Sequence, residues 1–202
     1  MITGYSDRIA HALAFAAKHG GPPARRGENP TWPTQPASVA VILARHGADE
    51  ATIVAGVLSS LLTESSPVRR TELRCKIEEK FGVRVADILK HSVEQRYDAR
   101  GKERNWEASK LDFLAGLAQA DQRALEVAAA NEIHLCGSLL TDVRRLGAEY
   151  LSGYAPGGAM AIGRWFRELV DALERHPTGP RPALLVELRS LSTRLWEQVV
   201  EE

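Results

Sequence analysis

Few residues in this chain have types and spacing that could do chemistry. Ser59 and Ser60 stand side by side in GVLSSLLTE, inside an apolar helical run. Serine is a weak helix former, and its buried hydroxyl needs a partner. A nucleophilic serine needs a base within reach and free amides for the developing oxyanion. Amides in the middle of a helix are already bonded one turn back, and neither serine sits in a strand-to-helix elbow. The pair therefore does not read as a catalytic nucleophile.

The six histidines are His11, His19, His46, His91, His134 and His176, and none pairs at helical zinc spacing. His46 precedes Gly47 at a helix end, where imidazole suits the carboxyl-end dipole. His134, between Ile133 and Leu135, reads as a half-buried, satisfied histidine. Arginine pairs occur at Arg25-Arg26, Arg69-Arg70 and Arg144-Arg145. Paired guanidiniums can grip phosphate, but they are also common on solvated surface. Only Arg25-Arg26, in the loop HGGPPARRGENPTWPTQP, stays open to both readings; the other pairs read as surface. Trp32, held between Thr31 and Pro33, could stack on a base or pin the loop.

The elements that must position these residues are helical, and no stretch alternates as a strand. Ser6 caps a first helix reaching Lys18. A short helix runs from Ser38 to Arg45, ended by Gly47. Asp49 caps the next, whose wide stripe of Ile53, Val54, Val57, Leu58, Leu61 and Leu62 predicts a central position. Pro67 interrupts, and Thr71-Glu72-Leu73 opens a helix to Phe81. Val85, Ile88, Leu89 and Val93 mark another; YDARGKERN links to a helix from Trp106 to Leu117. Asp121 caps a long helix to Leu146. After the glycine-rich YLSGYAPGGAM come two amphipathic helices, around Trp165 to Leu173 and from Ala183 to Val200. Their stripes would either cover the main bundle or form a homodimer contact.

The chain has 202 residues, with 26 basic and 26 acidic side chains and formal net charge +0. That length supports one sizeable core. The charge balance gives no global argument for nucleic acid or an anionic membrane. Cys75 and Cys136 match no zinc or redox spacing, and the amino terminus lacks an unbroken apolar run behind a basic head. A cytoplasmic protein with free thiols is the expectation.

Several blocks taken in order carry a family resemblance: ALAFAAKHGG, RRGENPTWPTQPASVAVILARHGADEATIVAGVLSSLLTESS, TELRCKIEEKFGVRVADIL, NWEASKLDFLAGL and VAAANEIHLCGSLLTDVRRL. Together they resemble the HD-domain hydrolases of guanosine tetra- and pentaphosphate, both the RelA/SpoT-type hydrolase domain and the small alarmone hydrolases. The resemblance implies an all-α, HD-domain-like bundle over residues 1–150 and a helical extension over 151–202. The extension would pack on the bundle or form a dimer contact.

It also implies what stands at each site position. The family has proline-tyrosine-x-x-histidine-proline where this chain has Thr31-Trp32-Pro33-Thr34-Gln35-Pro36. Its histidine-aspartate pair falls on Ser59 and Ser60, its glutamate-aspartate pair on Thr63 and Glu64. Its alanine-aspartate-x-leucine-x-asparagine block falls on Ala130 to Leu135, which puts Asn131 at the fourth ligand position and Leu135 at the pocket asparagine. In the family a manganese ion lowers the pKa of the water that attacks the 3′-pyrophosphate. Neutral serine, glutamine and asparagine are poor donors for such an ion.

The expectation is therefore a catalytically inactive homologue with no metal at Gln35, Ser59, Ser60 and Asn131, and no cofactor. It would act as a guanine-nucleotide sensor or a protein-binding module. Arg25, Arg26, Trp32, Glu64 and Leu135 are the candidate ligand contacts. The alternative is a manganese-dependent phosphohydrolase with an atypical site.

Overall fold

The structure is a computed structural model describing residues 4–20 and 34–200. The expected ligand contacts Arg25, Arg26 and Trp32 lie outside the described residues. The described residues form nine α-helices and one 3-10 turn, Ala148–Gly153, with no strand beyond an isolated antiparallel bridge between Tyr97 and Glu103. The helices are α1 (Asp7–His19), α2 (Thr34–Arg45), α3 (Glu50–Thr63), α4 (Pro67–Phe81) and α5 (Val83–His91). They continue as α6 (Trp106–Leu117), α7 (Gln122–Leu146), α8 (Gly158–Arg175) and α9 (Pro182–Val200).

The central element is α3. Every residue from Ala51 to Leu62 is buried, so the helix is surrounded rather than lying on a surface. Asp49 starts it, accepting from the Thr52 amide at 2.9 Å and the Thr52 hydroxyl at 2.7 Å. The same carboxylate receives Arg123 Nε at 2.7 Å, which ties the starts of α3 and α7 together. Burial alone would raise the Asp49 carboxyl. The Thr52 and Arg123 hydrogen bonds reverse that and hold it at about 2.

Close approach of α2 to α3 depends on Gly56. A Cβ there would stand 2.4 Å from Leu43 Cδ1 and 3.0 Å from Val39 Cγ1. Both α2 and α3 also pack on α7, so the three helices meet along one line. On that line lie Gln35, Ser59 and Asn131.

The carboxyl-terminal stripes are used inside the chain. Ile162, Trp165, Phe166, Leu169 and Leu173 of α8 are buried, as are Leu184, Leu188 and Leu195 of α9. Two polar ties fix α9: His46 Nε2 donates to Glu187 Oε2 at 2.6 Å, and Arg181 Nε to Glu126 Oε1 at 2.8 Å. His46 thus has a specific partner from α9, beyond its helix-end position.

The structure moves three sequence boundaries. Helix α2 begins at Thr34 rather than Ser38, so Gln35 stands in its first turn. Pro67 does not interrupt: it is the first residue of α4, where its missing N–H costs nothing. Helix α8 begins at Gly158, well before Trp165, because the glycines supply the left-handed turn at Gly157 that launches it. The structure also corrects the surface reading of Arg70. It is buried, and its Nε and Nη2 donate to the carbonyls of Leu62 (2.9 Å) and Ser65 (3.1 Å). Those carbonyls close the carboxyl end of α3, where a cation is favoured. Its neighbour Arg69 is exposed and donates to the last carbonyl of α1, at His19.

Candidate functional site

The residues at the expected ligand positions come together from three helices. Asn131 on α7 donates through Nδ2 to Ser59 Oγ on α3 at 2.9 Å and to the Val127 carbonyl at 2.9 Å. Ser59 passes its own proton back to the Gly56 carbonyl at 2.8 Å, with Asn131 Oδ1 a competing acceptor at 3.2 Å. Gln35 on α2 reaches Asn131 Oδ1 through Nε2 at 3.5 Å, a distance at the limit of a hydrogen bond. Ser60 follows Ser59 in the buried part of α3, and its hydroxyl has no partner among the described residues.

The neighbouring positions are used differently. Thr63 Oγ1 reaches the Ser59 carbonyl at 3.4 Å, one turn back. Glu64 ends α3 and pairs with Arg96 Nη1 at 2.9 Å. Leu135 is half-buried and packs on the core. His134, one residue earlier, meets Ser38 Oγ on α2 at 3.0 Å through Nδ1, so it is the satisfied histidine its setting suggests.

Sequence reading missed the charged residues beside this line. Lys110 Nζ pairs with Glu94 Oε2 at 2.8 Å, both nearly sealed from solvent. The ammonium also lies 4.4 Å from the ring centroid of Trp165 and 5.9 Å from that of Trp106. Glu132 is buried behind them and accepts from Trp165 Nε1 at 3.4 Å. Burial pushes the Glu132 carboxyl up, and the Lys110 ammonium offsets this only in part. Burial would also raise Glu94, but Lys110 and then Arg96 pull it below the usual carboxylate range. For Arg96, burial is outweighed by Glu64 and then Glu94, which push its guanidinium up. No local spacing connects Glu94, Lys110 and Trp165, so only tertiary contact could show the cluster.

A sequence profile of the HD domain family matches residues 12–156. The chain belongs to the HD domain family. Solved structures agree on the fold. The Listeria monocytogenes EGD-e protein lmo0812 is 21% identical with TM-score 0.64, covering 81% of this chain and 99% of its own. A metazoan orthologue of SpoT, which hydrolyses ppGpp and plays a role in starvation responses, is 17% identical with TM-score 0.69. That match covers 96% of this chain and 98% of the other. No curated protein matches the chain in sequence. The all-α fold is thus an HD-domain fold, shared with that SpoT orthologue, and no helix among the described residues is long and apolar enough to cross a membrane.

HD domain hydrolases of the kind this sequence resembles hold a manganese ion, and the donors on this line do not fit one. Gln35, Ser59, Ser60 and Asn131 supply neutral oxygens and no anionic or imidazole ligand. Much of that capacity is already turned inward, Asn131 to Ser59 and Ser59 to Gly56. Among the described residues no three histidine, cysteine, aspartate or glutamate side chains come together as a metal-binding group. The anionic Glu64 lies beyond Thr63 and already faces a guanidinium.

Proposed function

We propose that this HD domain does not hydrolyse its nucleotide but binds it. The observation that carries the reading is the contact between Asn131 Nδ2 and Ser59 Oγ at 2.9 Å, with Gln35 at its edge. A direct hydrogen bond joins α3 to α7 where the family's metal would join them. Metal-assisted hydrolysis needs a donor set that lowers the pKa of a bound water, and neutral amides and hydroxyls do not supply it. A carboxylate outside the first coordination sphere, such as Glu64, orients ligands but does not replace them.

The proposed ligand is a guanine nucleotide of the alarmone type, held without hydrolysis so that its occupancy is read by the helical frame. Arg25 and Arg26 are proposed for its guanine end, Trp32 and Leu135 for the pocket wall and Glu64 for the ribose end. Support comes from the family membership, the fold shared with the SpoT orthologue and the inward-bonded site. The test is to incubate the protein with guanosine tetraphosphate and manganese, follow pyrophosphate release by chromatography, and measure binding by calorimetry. Saturable binding with no release above the protein-free control supports the reading. Metal-dependent turnover overturns it, and absence of binding removes the nucleotide from it.

A further inference from the structure

Glu64, proposed above for the ribose end, does not stand alone: a chain of alternating charges runs to it from the core. Lys110 Nζ meets Glu94 Oε2 at 2.8 Å, each side chain only 9% exposed. Just beyond Glu94 in the chain, Arg96 carries the next charge and donates through Nη1 to Glu64 Oε1 at 2.9 Å. Burial disfavours the Arg96 charge, but Glu64 and then Glu94 outweigh that cost. The backbone that carries Arg96 is a closed turn. The Arg96 carbonyl accepts from the Arg104 amide at 2.8 Å, and Tyr97 bridges to Glu103. Asp98 Oδ1 accepts from the amides of Arg100 and Lys102, each at 2.9 Å, which fixes the tip. The neighbouring Gln95 carbonyl accepts from Ser109 Oγ on α6 at 2.9 Å. None of these ties takes part in the crossing of Ser59 and Asn131.

An ion pair whose side chains are 35% and 46% exposed, as for Arg96 and Glu64, contributes little to stability. What the pair does is orient. Arg96 engages Oε1 of Glu64, and Oε2 has no partner among the described residues. A carboxylate with one oxygen committed and the other open repels phosphoryl oxygens and accepts from a neutral hydroxyl. Without the guanidinium, a half-exposed glutamate at the end of α3 spreads over its rotamers, and ordering it weakens any contact it makes. We infer that Arg96 is a positioning residue, holding Glu64 so that its open oxygen selects a ligand that carries a ribose hydroxyl. A site built to bond a hydroxyl rejects the analogue that lacks it. The inference rests on the nucleotide reading above and adds to it the means of telling a ribonucleotide from a deoxyribonucleotide. Arg96 touches Glu64, not the ligand.

The experiment compares guanosine tetraphosphate with its 2′-deoxy analogue by calorimetry on the full chain, with melting curves to confirm that each variant is folded. The wild type should prefer the ribonucleotide by at least about tenfold, the effect of one hydrogen bond to a charged group. Arg96→Gln should reduce that preference to about twofold or less, while the deoxy analogue binds as it does to the wild type. Arg96→Lys should recover part of the preference, because an ammonium can still hold Oε1 but lacks the planar fork. Glu64→Ala, on the cleft side of the pair, should abolish the preference, and adding Arg96→Gln to it should change nothing further. Absence of binding by either nucleotide to the wild type removes the nucleotide reading and this inference with it. Three outcomes overturn the inference alone: equal wild-type affinity for the two nucleotides, an unchanged preference in Arg96→Gln, or a loss in Arg96→Gln shared equally by both nucleotides, which would make Arg96 a direct phosphate contact.

Discussion

Asn131 Nδ2 and Ser59 Oγ lie 2.9 Å apart, and each also bonds a carbonyl of its own helix. The pair closes a polar crossing between α3 and α7 that would otherwise leave buried donors exposed to an apolar core. Replacing Ser59 with alanine removes the acceptor for Asn131, and replacing Asn131 with alanine strips the partner from Ser59. Each change should cost about 1 kcal/mol, with a coupling of about 0.5–1 kcal/mol between them. Urea unfolding of the two single variants and the double variant gives the coupling. Strict additivity would show that the pair does not interact.

Gly56 and Gly137 make a matched contrast. Both lie inside helices, where alanine normally gains about 1 kcal/mol over glycine. At Gly137 no atom lies within 4 Å of an added Cβ, so Gly137→Ala should stabilise. At Gly56 the new methyl would press on Leu43 at 2.4 Å, so Gly56→Ala should destabilise by about 1–3 kcal/mol. Opposite shifts in melting temperature are the expected result.

Asp49 makes stability depend on acid. Its carboxyl is lowered from 3.8 to about 2, so its contribution is full above the ordinary value and is lost as pH falls towards the folded one. The side chain is 40% exposed, so solvent screening reduces the effect to about 1 kcal/mol. An asparagine in its place would keep a capping oxygen but carry no charge. The stability gap between the wild type and Asp49→Asn should therefore be present at pH about 5 and close towards pH about 2. A gap independent of pH would place the effect in packing.

Restoring the family's ligands should reverse the present balance of the site. The variant Gln35→His, Ser59→His, Ser60→Asp, Asn131→Asp buries charge that only a metal can balance. It should melt below the wild type in chelator and rise on adding manganese. Hydrolysis should stay weak until Thr63→Glu and Leu135→Asn are added, since the groups work as one unit and loose placement costs about a hundredfold. Chromatography of guanosine tetraphosphate incubations with each variant measures this.

Helix order was readable because local chemistry announces it. Ser6, Asp49 and Asp121 each accept from the amide three residues on, as their positions suggest. The stripe of α3 foretold its burial. Pro67 misled because proline both ends helices and starts them, and only the chain's path decides which. The meeting of Gln35, Ser59 and Asn131 was visible only through the family blocks, since neutral polar residues have no spacing of their own. Arg70 escaped because a dipeptide does not reveal that α4 turns one arginine inward and the other out. The Glu94–Lys110 pair escaped for the same reason, its partners lying on different elements.

The central claim is that the line from Gln35 through Asn131 to Ser59 is a neutral crossing, not a metal centre. Equilibrium binding of manganese tests it most directly, with free ion followed by electron paramagnetic resonance in chelator-stripped protein and elemental analysis after dialysis. The account predicts no stoichiometric site, an unchanged melting temperature in added manganese, and a site appearing only in the four-ligand variant. One manganese per unmodified chain, retained through dialysis and lost on Asn131→Ala or Ser60→Ala, would contradict it.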